Sequence, residues 1–125
     1  MAKISLGKAP KNFRQTVTVP MLDGTDGTVE CVFKYRTMTE YGALSDDLAG
    51  AAGVVGDIAE ISWAVLLDRK KDKNGEHLMR ILEGWNLDDE LSAATAQQLC
   101  DEFPGAASAI FDAYRIACLE GRLGN

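Results

Sequence analysis

The chain has 125 residues, 46% apolar and 26% charged, with thirteen basic and nineteen acidic side chains for a net charge of −6. A chain of this length buries about two-thirds of its unfolded surface, so it is predicted to fold as one domain without disulfide or metal staples. No apolar run is long enough for a membrane span, and the start MAKISLGKAPKNFR has no apolar signal core, so a non-secreted protein away from the membrane is expected.

Cys31, Cys100 and Cys118 are odd in number and form no close pair, which suggests reduced thiols in a cytosol. Charge is unevenly distributed. Residues 1–37 carry six basic and three acidic side chains, net +3, and residues 38–125 carry seven basic and sixteen acidic ones, net −9. An acidic body argues against nucleic acid as the main partner, because phosphate binding needs a basic surface. The scattered basic residues of the arm suit RNA, DNA or an acidic patch on a second copy of the chain.

In chain order, residues 1–14 are polar and Lys-rich and read as a basic, mobile arm. Gln15 to Pro20 (QTVTVP) and Thr28 to Arg36 (TVECVFKYR) alternate in the manner of strands, the second with Val29, Cys31, Phe33 and Tyr35 on one face. Asp23-Gly24 and Asp26-Gly27 lie between them, so a β-hairpin over 15–36 is predicted. Residues 37–125 form the expected helical body. Thr37 or Thr39 caps a helix running toward Ala49, and Gly50 to Gly56 interrupts it. Asp57 to Arg69 is the clearest helix of the middle, with Val54, Ile58, Ile61 and Val65 at helical spacing and Trp63, Leu66 and Leu67 widening the face. Basic residues at its end suit the helix dipole.

Asn74-Gly75 reads as a turn. Glu76 to Gly84 fits either a helix, through Leu78, Ile81 and Leu82, or a short strand. After Trp85 comes the acidic loop Asn86 to Glu90. Ser92 then caps a helix from Ala93 to about Glu102, with Leu91, Thr95 and Leu99 on one face. Pro104 starts a last helix to Glu120, whose stripe is Ala107, Ile110, Phe111, Tyr114, Ala117 and Cys118, and Gly121 ends it.

No motif in this order carries chemistry. The single His77 is far in sequence from every cysteine, and no CxxC, HExxH or GxSxG occurs. The acidic pairs at Asp46-Asp47, Asp88-Asp89-Glu90 and Asp101-Glu102 fall at loops or helix edges, where solvation is the simpler reading. No metal or cofactor is expected, and an enzyme is the weaker hypothesis. Trp63 sits on a helix apolar nearly all round, which suggests a contact buried on assembly, so Ile58, Ile61, Trp63, Leu66 and Leu67 are the candidate partner or oligomer interface.

The run Leu82-Glu83-Gly84-Trp85-Asn86-Leu87, an acidic loop, a helix, Phe103-Pro104-Gly105-Ala106 and Ala109-Ile110-Phe111-Asp112-Ala113-Tyr114 resembles the tail assembly chaperones of long-tailed bacteriophages. Gly84, Trp85, Phe103, Pro104, Ile110, Phe111 and Tyr114 carry that pattern and are assigned to internal packing. The loop Asn86 to Glu90 departs from the family in lacking Gly and Pro. The resemblance implies a non-enzymatic protein that coats the tape measure protein, keeps it soluble, and presents it to tail tube subunits. It implies work in the bacterial host cytoplasm and absence from the finished virion. It also implies a longer minor product made by frameshifting, and Leu123-Gly124-Asn125 is compatible with a slippery G-GGA-AAC run. The second reading is a small adaptor docking on one folded partner. The expectation is an α+β domain, an N-terminal antiparallel hairpin followed by a bundle of four to five helices, that forms homo-oligomers.

Overall fold

A computed structural model describes residues 3–51 and 73–121, and side chains over 3–48 and 73–121. Its elements are β1 (Asn12–Pro20), β2 (Asp26–Lys34), α1 (Met38–Ala51), α2 (Asn74–Met79), β3 (Leu82–Trp85), α3 (Ala93–Glu102) and α4 (Ala106–Glu120). The class is α+β.

The hairpin pairs Asn12 with Lys34 and Pro20 with Asp26. β1 thus starts before the alternating run at Gln15. Alternation puts Val17, Val19, Val29, Cys31 and Phe33 in the core, while Arg14, Thr16 and Thr18 face outward. Tyr35 lies past the end of β2 and is exposed rather than continuing the inner face. The turn uses the first Asp-Gly pair only. Gly24 takes φ 88°, and Asp23 Oδ1 accepts from Thr25 N at 3.0 Å and Thr25 Oγ1 at 2.6 Å. Asp26 and Gly27 are paired in the ladder instead.

The third strand extends the hairpin into a sheet of order β1-β2-β3. β3 is antiparallel to β2, with Cys31 opposite Trp85 and Val32 opposite Gly84, and a bulge follows before Phe33 meets Leu82. The ambiguous segment is therefore both things in turn. Helix α2 ends at Met79, whose carbonyl accepts Lys34 Nζ at 2.9 Å, a cation placed where the helix dipole favours it. Ile81 N–H still bonds Leu78 O, but Ile81 O is taken by Lys34 N–H at 2.8 Å, and the chain goes extended. Leu78, Ile81 and Leu82 are buried throughout the change, so their spacing serves both forms.

Helix α1 opens on a capping box. Glu40 N–H donates to Thr37 Oγ1 at 3.2 Å and Thr37 N–H to Glu40 Oε1 at 2.9 Å. The helix passes through Gly50 and Ala51, where an interruption was expected. The predicted helix 57–69 lies outside the described residues.

Asn74 and Gly75 are not a free turn but the buried first turn of α2. A Cβ at Gly75 would run into Ala93 O and lie 2.7 Å from Gln97 N. Glycine here lets α2 lie directly on α3, and Gly75 N–H donates to Gln97 Oε1 at 2.8 Å. In α3, Ala96 and Cys100 are the buried positions, while Leu91, Thr95 and Leu99, which share one face, are half-buried, with Leu91 and Leu99 packed against the core.

The cap of α3 is as predicted: Thr95 N–H donates to Ser92 Oγ at 3.1 Å and Ser92 N–H to Thr95 Oγ1 at 2.8 Å. Helix α4 begins at Ala106 rather than at Pro104, because Phe103 O first accepts Ala106 N–H in a turn. It buries Ala106, Ala107, Ile110, Phe111 and Tyr114 and ends at Gly121, φ 68°.

Candidate functional site

The residues assigned to a partner interface, Ile58, Ile61, Trp63, Leu66 and Leu67, lie outside the described residues. The family-pattern residues divide into two groups. Ile110, Phe111 and Tyr114 are fully buried on α4. Tyr114 sits at the centre of an aromatic group, with ring centroids 5.3 Å from Phe33, 6.1 Å from Phe13 and 5.9 Å from Tyr41. Its hydroxyl donates to Lys34 O at 2.8 Å and accepts Arg36 Nη1 at 3.0 Å. Burial holds the phenol well above its ordinary range, although Arg36 works against this. The hydroxyl is therefore a neutral latch between α4 and the end of β2. No sequence signal marked Arg36 for that role.

Gly84, Trp85, Phe103 and Pro104 form the second group, at the surface. Trp85, Leu99 and Phe103 are half-buried and line a cleft of about 110 Å³, with Leu87 beside them and Asp89 and Glu102 on the rim. The indole Nε1 donates to Asp89 O at 2.6 Å, which folds the acidic loop over the ring. Asn86 extends the β2–β3 ladder: its N–H donates to Glu30 O at 3.1 Å, and its Oδ1 accepts Glu30 N–H at 2.9 Å. Trp85 thus has one side on the sheet and one toward α3. Pro104 is exposed, and Gly84 lies opposite Val32.

A larger cleft, about 340 Å³, lies where the arm meets the other end of α4, between Pro10, Phe13, Tyr35, Arg36, Ala117 and Cys118. The arm beyond it is open to solvent, with Ile4 87% and Leu6 94% exposed.

Burial pushes the Cys31 thiol up to about 12 and Cys100 to about 11, and it raises Cys118 as well. None is a thiolate at neutral pH, the form needed for nucleophilic or metal chemistry. His77 is half-buried on α2. Asp46, Asp47, Asp88, Asp89, Glu90, Asp101 and Glu102 are exposed, and Asp47 bridges to Arg80 at 2.8 Å. Among the described residues no three of His, Cys, Asp and Glu gather as a metal site. No helix of the described residues is long and apolar enough to cross a membrane.

Sheet, cleft and aromatic latch are the main features of the described residues. The model of the phage tail assembly chaperone family matches residues 1–125, the whole chain. The chain belongs to that family. Its role is therefore in phage tail assembly, and the family's partners are phage tail proteins. Neither the curated proteins nor the solved structures compared with this chaperone give a match. Within the chaperone, the Gly84-Trp85 step is the start of a surface cleft, and Ile110 to Tyr114 is the spine of the core.

Proposed function

We propose that the chain is a non-enzymatic chaperone that binds the tape measure protein, keeps it soluble, and helps to bring tail tube subunits to it. The whole-length family match carries this reading. The side-chain chemistry supports it: the thiols are held protonated and the paired carboxylates stand in solvent, so neither a nucleophile nor a matched acid and base is presented among the described residues. The acidic body, net −9 over residues 38–125, keeps a complex with an apolar client in solution. The apolar helix predicted around Trp63 is the client-binding or self-association surface. Many copies on one long client bind with avidity rather than with high affinity at each site.

In this reading the chaperone acts in the host cytoplasm and is absent from the finished virion. Contact with the tail tube protein belongs to a longer frameshifted product. Co-expression with the tape measure protein of the same phage is the test. The client is expected in the soluble fraction, bound to the chaperone, only when the chaperone is present. A client that stays insoluble, or is equally soluble alone, would sink the proposal.

A further inference from the structure

We propose, resting on the client-binding reading above, that the larger cleft at the C-terminal end of α4 is where the chaperone docks its client. The occupant is a client segment in which a large apolar side chain is accompanied by carboxylates. Three stretches distant in sequence build the cleft: Pro10 and Phe13 from the arm and β1, Tyr35 and Arg36 past the end of β2, and Ala117, Cys118 and Gly121 at the end of α4. At about 340 Å³ it is some twice the roughly 150 Å³ cavity that holds a benzene ring, so it takes one large side chain with part of its neighbours. The helix predicted around Trp63 then keeps self-association as its role.

The distribution of exposed apolar residues is the first support. Seven large hydrophobic side chains are exposed among the described residues. Five of them, Ile4, Leu6, Tyr35, Met38 and Leu119, line this cleft or lie within six residues of a lining residue in sequence. The other two, Met21 and Leu22, belong to the hairpin turn. Tyr35 N–H donates to Lys11 O at 3.0 Å, so the base of the arm is fixed beside the cleft. Apolar surface gathered around a concave site marks a place of contact.

Charge selects the rest of the occupant. Among the described residues no carboxylate lines the cleft, although residues 38–125 carry net −9. Arg36 lies in it, and of the five N–H donors of its guanidinium one is used, in the bond to the Tyr114 hydroxyl at 3.0 Å. Neither Arg36 nor the exposed Lys8 and Lys11, on either side of Pro10 in sequence, is in a salt bridge among the described residues. An apolar wall with a guanidinium on it and lysines beside it complements an apolar residue set among acids, and it repels a basic segment.

Retention of the tape measure protein of the same phage on the tagged full chain tests this. Two variants are compared with wild type, each checked for wild-type circular dichroism and melting. Ala117→Trp fills the cleft, and Lys8→Glu with Lys11→Glu reverses the charge beside it. Each should hold the client about tenfold more weakly or worse, the loss of one buried side chain or of the charge match. In the wild-type complex the half-buried Cys118 thiol should escape labelling over the time in which the free chaperone reacts fully. If Ala117→Trp does not fold, the charge variant and the thiol decide. Client held equally well by a folded variant, or Cys118 labelled as fast in the complex, overturns the proposal and leaves the client-binding reading standing. Cys118 already protected in self-associated chaperone without client also overturns it, since a second copy then fills the cleft. A wild type that holds no client removes the reading and the role of the cleft with it.

Discussion

The Tyr114 hydroxyl donates to the Lys34 carbonyl at 2.8 Å, joining residues from α4 and the end of β2 that are far apart in sequence. Arg36 Nη1 donates to the Tyr114 hydroxyl oxygen at 3.0 Å, so one phenol takes up the groups left where β2 runs out. Tyr114→Phe keeps the ring stack and removes the latch. Chemical denaturation should show a loss of about 1 kcal/mol with an unchanged slope. Tyr114→Ala opens the aromatic group as well and should cost about 3–5 kcal/mol.

Gly75 and Gly42 are both helical glycines, and alanine should act on them with opposite sign. At Gly75 the new Cβ meets the backbone of α3, so Gly75→Ala should destabilise by about 1–3 kcal/mol as α2 is pushed away. Nothing lies within 4 Å of a Cβ at Gly42, and Gly42→Ala should stabilise by about 0.5–1 kcal/mol through helix propensity. Paired thermal melts measure both. A destabilised Gly42→Ala would show that α1 is more closely packed than described.

The Thr37–Glu40 box makes stability depend on acid. Hydrogen bonds from the Thr37 backbone N–H and then its hydroxyl hold the Glu40 carboxyl below its ordinary value of 4.5. A depressed carboxylate adds stability above the unfolded pKa and loses it as pH falls through the folded one. Wild type should therefore exceed Glu40→Gln in urea midpoint at neutral pH. The gap should close as pH falls below 4.5 and on through the lowered value. A gap independent of pH would mean that the carboxylate charge takes no part in the cap.

Thiol labelling reads the packing directly. In the native chain at mildly alkaline pH, Cys118, half-buried in the larger cleft, should react first with an aromatic disulfide reagent. Cys31 and Cys100 should react only at the rate of unfolding, because both are buried and held protonated. Fast labelling of Cys31 in folded protein would contradict its place under the sheet.

Local signals in the sequence were the readable ones. Ser92, Thr37 and Gly121 act through bonds within a few residues, so cap and stop residues appear where the pattern put them. Alternation gave the inner face of the hairpin for the same reason. Distant neighbours decided the rest. Asn74-Gly75 has the composition of a turn, but the backbone of α3 turns it into a helix start. The buried positions of α3 are Ala96 and Cys100, while α2 lies on Ala93 and Gln97, and no residue of α3 announces α2. Leu78, Ile81 and Leu82 fit either period, and the choice of strand was made by β2. In the candidate site, Trp85 and Phe103 were visible as a pair of aromatics with a structural purpose. Their meeting around one cleft with Leu99 was not visible, because α3 is oriented by its contact with α2.

The pairing of Cys31 with Trp85 has a consequence for synthesis. A ribosome adds roughly 5–20 residues per second, so β3 emerges about 3–10 s after the strand it must join. Through that interval the edge of β2 that β3 later covers stands open. The edge awaiting β3 carries Glu30 and Lys34 near its two ends, and charges of this kind discourage a strand from pairing with a neighbouring chain. A tail assembly chaperone thus passes through an exposed state of its own, with charged residues on the strand that is open.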